Sequence, residues 1–486
     1  MGQWRHRAQR ADPLRTRVVA VATSIAVAVV SAAAHAGPAP GSPPPHVDVG
    51  PTGTSLMHGD LASTDSTPFV GPGRRARLAA SSIPGGACAA TFMGRDGIPV
   101  SLCTQFVGPG GFAVPTVTLF HPRSAAVLAR LSLTKGGLLG GVYGYLDAQD
   151  RVVVADGSGA IVRVAHRGGL TAPRLVVEDR VSLGGHLPRG DAVTGLAPDY
   201  SGRVWFVTTN GVVGTVTPRP NQRSHVASTR LPRGEQMGNG LSVRPQGVSV
   251  LTTHALYEMR AGADGVPRTV WHRAYDRGSA RKPGQLTWGS GTTPTYFGPG
   301  GNGWVAIVDN ADAAPNLLVY RSDDGGLVCR MRAFGRSGQG TENSILAWGD
   351  SLVIPSTYGY QYPPQAESGT AKPSSAPFVG GSTRVDVSAS GCRRVWENGD
   401  RIATLPRLAR GDGVVYALGY GPLRPGPQQL GPVYLIGSDF ATGRRVVTLP
   451  VGEAPLDEPL ELTGTIGPDG TMWQATVGRM LRLTRG

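Results

Sequence analysis

The sequence predicts an all-β protein: a β-propeller of eight four-stranded blades, with seven as the alternative count, closed by a strand from the N-terminal region. Three observations carry that expectation. The 486 residues include 71 Gly and 40 Pro while 40% remain hydrophobic, a composition of many short strands joined by turns, without the glycine period of collagen. Apolar residues alternate over four to eight positions, which is the strand period, and no amphipathic helical pattern persists for ten residues. The pattern also recurs, in DAQDRVVVADGSGAIVRV from Asp147, PDYSGRVWFVTTNGVVGTV from Pro198 and PDGTMWQATVGRMLRL from Pro468. Units begin near Cys88, Tyr143, Val193, Gly240, Thr292, Glu342, Leu405 and Leu460, a spacing of about 45 to 65 residues, as expected of propeller blades.

Residues 1–36 read as an export signal. Arg5, Arg7, Arg10, Arg15 and Arg17 form a basic n-region, Val18 to Val30 is a short apolar run, and Ala34-His35-Ala36 is an A-x-A cleavage site. No Arg-Arg pair precedes the run and no Cys follows the site, which points to general secretion without a lipid anchor. The expected location is secreted or on the cell-envelope exterior, with no membrane span after cleavage and a monomeric state. Cleavage removes five Arg and one Asp, so the formal charge falls from +14 to +10. A basic surface suits anionic polymers, including those of a cell wall. Only Lys135, Lys282 and Lys372 are lysines and the Arg are scattered, so the basic patch with aromatic platforms that nucleic-acid binding needs is missing, and no nucleic acid is expected.

Residues 37–80 are rich in Pro, Gly and Ser and read as a flexible tether to a propeller domain at 81–486. Cys88 and Cys103 flank the turn signal Gly94-Arg95-Asp96-Gly97 symmetrically, which predicts a cross-strand disulfide and leaves Cys329 with Cys392. The best-formed units read as four strands. The last supplies three before Gly486, so its fourth is expected from about residues 66 to 82, a closure that removes exposed sheet edges. The longest insertions, Gln361 to Val379 and Gly421 to Gly431, follow second strands and read either as functional rim loops or as disordered excursions.

In a propeller the first strand of a blade starts, and the second ends, at the same face. That rule gathers the densest polar lettering at one channel mouth: Thr292 and Thr293 open the fifth unit and Asp309, Asn310 and Asp312 follow its second strand. Glu342 and Asn343 open the sixth, and Tyr358 and Tyr360 end its second strand. These residues are the candidate ligand site. Thr292 and Thr293 also fit simple strand-start capping and Asp309 to Asp312 an Asx turn, whereas a carboxylate at an inner-strand start is costly unless paired or liganded. Asp309, Asp312, Glu342 and Asn343 offer hard oxygen donors suited to calcium or another divalent ion. Glu342 and Asp309 are the candidate acid/base or metal-binding pair of a hydrolase.

Other templates fall away. Gly349-Asp350-Ser351-Leu352 spells an esterase motif but sits in a tight turn without a strand-to-helix elbow, and no G-x-S-x-G, H-E-x-x-H or G-x-x-x-x-G-K occurs. No C-x-x-C spacing suggests attached haem.

The pattern D-x-x-G-x-V-W-F at 199–206 and P-D-G-T-M-W at 468–473 resembles the secreted propellers grouped around gluconolactonase-like (SMP-30), NHL and quinoprotein-like proteins. The stretches GTTPT, VAIVDNAD, TENS, TYGY and GGSTRVDV are similar to an uncharacterised family of exported bacterial propellers, which implies architecture and no activity. The gluconolactonase resemblance implies a divalent metal at the channel mouth, held by Glu342, Asn343 and Asp309 or Asp312. Quinoproteins carry regular Trp docking motifs and often a vicinal Cys pair, neither present here, so no pyrroloquinoline quinone is expected. The functional expectation is an exported propeller binding a small molecule or glycan at the mouth. The alternatives are a metal-dependent lactonase or glycosidase, and an envelope protein-interaction scaffold.

Overall fold

The computed structural model describes residue 1 and residues 42–486, apart from 109–110, 137–142, 220, 337–338 and 422–429. The export signal and its cleavage site lie outside the described residues, as does most of the 421–431 insertion. Residues 38–486 form one compact unit.

Eight sheets make the ring: blades 1 to 6 are four consecutive antiparallel strands each, the four of blade 7 are joined by Ser66–Thr67 and Arg401–Ile402 in a six-stranded sheet, and blade 8 combines three C-terminal strands with one from the N-terminal region. The innermost strands are Gly86–Met93, Gly144–Leu146, Val193–Pro198, Leu241–Arg244, Thr295–Phe297, Leu346–Trp348, Arg407–Ala409 and Thr465–Ile466, for blades 1 to 8 in turn. Blade 8 takes its fourth strand from Ala76–Ser82, which pairs antiparallel with Met480–Arg485, so the predicted closure is present. Strands covered on both faces by neighbouring blades lose the polar alternation: Val204–Thr208 (VWFVT) is buried at every position, whereas the outermost strand of blade 2, Arg174–Ser182, is largely exposed. The D-x-x-G turn is built by one side chain. Asp199 Oδ1 accepts from the Ser201 and Arg203 amides (2.8 and 3.0 Å) and Oδ2 from Trp205 Nε1 (2.8 Å). Cys88 pairs with its cross-strand partner Cys103, and Cys329 with Cys392, joining the outer strands of blades 5 and 6.

Residues 42–80 are not a tether. From Val49 to Thr67 the chain enters the central channel and runs along the inner strands of six blades. The amides of Met93, Leu146, Val243, Tyr296, Ala347 and Leu408 donate to the carbonyls of Thr54, Ser55, Leu61, Ala62, Thr64 and Asp65 at 2.7–2.9 Å, and Ser66–Thr67 adds a parallel pair to Leu408–Ala409. Each inner strand would otherwise present unpaired backbone groups to the channel. The small residues that make this segment look disordered are what let it fit.

Charge fixes the plug in place. Asp65 is fully buried, and its carboxylate meets His58 Nδ1 at 3.0 Å and Arg407 Nη1 at 3.3 Å. Arg407, 1% exposed, also donates to the carbonyls of Met57 (2.6 Å) and Gly464 (2.9 Å), tying plug, blade 7 and blade 8 together. Removing one partner of a buried pair strands the other, at a cost of about 3–5 kcal/mol. Arg407→Ala should therefore lower stability by that amount in equilibrium urea unfolding, and a loss below about 1 kcal/mol would show that the network does not hold the plug.

Candidate functional site

With the plug in the channel, the mouth is closed from below. Thr293 Oγ1 lies 3.4 Å from His58 Nε2 of the plug, so the predicted mouth residues sit directly above it. The structure separates those residues into two groups.

The blade 5 group is occupied with local architecture. Thr292 Oγ1 accepts from the Val308 amide (3.3 Å) and pairs with Ser290 Oγ (3.0 Å). Asp309 Oδ1 accepts from the Asn316 and Ala311 amides (2.6 and 3.2 Å) and Oδ2 from Asn316 Nδ2 (2.8 Å), while burial pushes its pKa up. Asn310 Nδ2 donates to Arg277 O and Ala280 O, and its own carbonyl accepts from buried Lys282 Nζ (2.6 Å). Exposed Asp312 accepts from the Ser279 amide (2.9 Å). The 309–312 turn is thus a latch onto the link between blades 4 and 5. Asp309 also lines an open pocket of about 480 Å³ with Arg273, Tyr275, Tyr320 and Arg330, which Glu342 does not line. Among the described residues no three of His, Cys, Asp and Glu gather where a metal ion could be held. The expected set of Asp309, Asp312, Glu342 and Asn343 is therefore not assembled, because each aspartate is drawn into its own turn.

The blade 6 group does converge, and on a partner the mouth rule passed over. Asn343 Nδ2 donates to Glu461 Oε2 (2.8 Å), and the Leu286 amide donates to Glu342 Oε2 (3.0 Å). Beneath Glu342 the backbone of Gly291 passes so close that a Cβ would lie 2.5 Å from Oε2 and from Thr341 O, so that position requires glycine. Tyr360 and Tyr420 both donate to Glu458, and Tyr360 packs edge-on against Tyr362 at 5.0 Å. Tyr358 is half-buried beside them. The insertion after the second strand of blade 6 folds over this side: Ser368 N donates to Leu286 O (2.7 Å), and Arg281 Nη2 to Glu367 Oε2 (2.7 Å).

Among the described residues, Glu342 Oε1 and Glu461 Oε1 are buried without a hydrogen-bond partner, while the Asn239 side chain approaches the Glu342 carboxyl and tempers its pKa. Burial, with each residue's acidic neighbour adding to it, raises Glu342 and Glu461 to about 8. The neighbours are Glu461 for Glu342 and Glu458 for Glu461. The same burial and the nearby Glu342 and Glu461 raise the Tyr362 hydroxyl, and Glu342 raises Tyr143. At neutral pH both glutamates are mainly carboxylic acids, able to donate as well as accept. Glu461 was legible in principle: Leu460 opens blade 8, so Glu461 occupies the same strand-start position that singled out Glu342. Both Leu460 and Glu461 adopt positive φ (50° and 51°), which the sequence did not announce.

Each glutamate holds its proton more tightly in the folded chain than near its ordinary value of 4.5. The stability this gives is complete below about pH 4.5 and is lost as the pH climbs through about 8, by up to about 1.4 kcal/mol per pH unit for each group. Replacing both by Gln should flatten the decline in melting temperature across that window and leave the variant more stable than the parent at pH 8. Parallel curves for parent and Glu342→Gln/Glu461→Gln would contradict the assignment.

No family model matches the chain. A protein described as uncharacterized, from Archaeoglobus fulgidus, is 23% identical over 327 residues, 60% of this chain and 61% of that one; the chain thus spans about three-fifths of that relative's length. Among solved structures, europium-containing methanol dehydrogenase superposes with a TM-score of 0.55 at 9% identity, over 88% of this chain and 97% of that one. The Dos1 propeller gives 0.52 at 9% identity, over 84% and 95%. At such identities the likeness is one of fold, and the fold is a β-propeller.

Proposed function

We propose that the chain is an exported β-propeller that binds a small hydroxyl-bearing ligand, a sugar or glycan end, at the mouth above the plug, where the start of blade 6 reaches Glu461 at the start of blade 8. The observation that carries this reading is the pair of buried, unpartnered Oε1 atoms of Glu342 and Glu461. Buried polar atoms in native proteins are almost always satisfied, and a hydroxyl can both donate to and accept from a protonated carboxyl. Tyr143 and Tyr362, buried close enough for Glu342 to raise their hydroxyls, are aromatic side chains of the kind that recognise a sugar ring. Export is supported by the basic and apolar opening of the sequence and by two disulfides, which persist in oxidising compartments. The blade-level resemblance to gluconolactonase-like and NHL propellers fits a ligand at this mouth.

The test is a thermal-shift and calorimetric screen of neutral mono- and disaccharides, with calcium as a separate arm. A saccharide that raises the melting temperature, and whose affinity drops tenfold or more in both Glu342→Ala and Glu461→Ala, is the expected outcome. Stabilisation by calcium that disappears in Glu342→Ala would favour a metal-dependent hydrolase instead. No response to any saccharide, or a response indifferent to both substitutions, would contradict the proposal.

A further inference from the structure

The second strands of blades 2 to 6 are five residues each, whereas the second and third strands of blade 1, Pro99–Gly108 and Gly111–Phe120, are ten each. Both sets leave the same kind of short turn, so the surplus lies at the mouth face, roughly 15 Å of extended chain. Its described side chains are apolar and exposed: Phe106 is 45% exposed, Val107 70% and Phe112 74%. Ile83, 76% exposed, is held beside them, because the Phe106 amide donates to Gly85 O (3.1 Å). Val107 and Phe112 are cross-strand partners and share one face of the hairpin, while Phe106 points to the other. A protein partner or a neighbouring blade would cover one face; a hairpin apolar on both is suited to being surrounded.

The stretch of chain that carries it is basic. Between residues 66 and 146 there are seven Lys or Arg and a single carboxylate, Asp96, a net of +6. Asp96 sits in the turn at the far end of the same strands, bonded to His166 Nε2 at 2.6 Å. The cations nearest the hairpin are exposed Arg130, whose Nη2 donates to Pro84 O (2.7 Å), and exposed Lys135, whose Nζ donates to Phe112 O (2.6 Å). Aromatic and aliphatic side chains flanked by cations are the composition of an element that seats in the interface of an anionic bilayer.

We propose that this hairpin of blade 1 inserts its apolar side chains into an anionic lipid bilayer and docks the propeller there without spanning it. The experiment is co-sedimentation of the purified chain with vesicles of phosphatidylcholine alone and with 30% phosphatidylglycerol, together with size-exclusion light scattering. The expected result is binding to the anionic vesicles that falls tenfold or more in Phe106→Ser/Val107→Ser/Phe112→Ser, with the melting temperature kept because these residues are exposed. Arg130→Gln/Lys135→Gln should lose roughly fivefold per cation and lose the preference for phosphatidylglycerol. Absence of vesicle binding would overturn the proposal. So would binding unchanged in the triple Ser variant, binding abolished by soluble dextran sulfate in parent and triple variant alike, or self-association that the triple variant removes.

Discussion

The buried contact of Asp65 with Arg407 and His58 is the constraint on which the rest of the structure depends. It joins an N-terminal segment to residues 342 positions later in the chain, and it holds that segment where it can pair with the inner strands of six blades. An eight-bladed ring leaves an axial space bordered by strand edges with no partner of their own. The plug supplies those partners, the same chain then runs out to become the fourth strand of blade 8, and the ring is thereby closed from its centre and from its rim by one continuous stretch. Desolvating an aspartate and an arginine is costly unless each finds several partners, and here the carbonyls of Met57 and Gly464 complete the arginine's donors.

The plug also closes the mouth from below. His58 is both a ligand of Asp65 and, through Thr293, part of the floor. Above it, carboxyl groups at the starts of blades 6 and 8 are buried beside one another and beside Glu458, which raises Glu342 and Glu461 together. The apolar hairpin of blade 1 stands on the same face but uses different physics, exposing hydrophobic side chains where the mouth buries polar ones.

Much of the ring was legible in the sequence because its signals are local. Asp199, Gly202 and Trp205 lie within seven residues and build their turn alone; Cys88 and Cys103 flank a single hairpin; strands sandwiched between blades show their burial directly in runs such as VWFVT. The plug was not legible, since Gly53 to Thr67 contains small and polar residues whose burial is imposed by partners far away in the sequence. The mouth was intermediate. Strand-start geometry singled out Glu342 and Asn343, which the structure sets against Leu286 and Glu461. It could not reveal that Asp309 would be satisfied by Asn316 or that Asn343 would reach Glu461, because side-chain partners depend on link conformations such as the positive φ of Leu460 and Glu461.

Amide hydrogen exchange of residues 54–67 in the intact chain tests the account most directly. If this segment is the axial plug, its peptides, and the amides of Val243, Tyr296, Ala347 and Leu408 that donate to it, should be protected to the same degree as the inner strands and should open only with global unfolding. Exchange of residues 54–67 at the rate of an unstructured peptide, with the ring still protected, would contradict it.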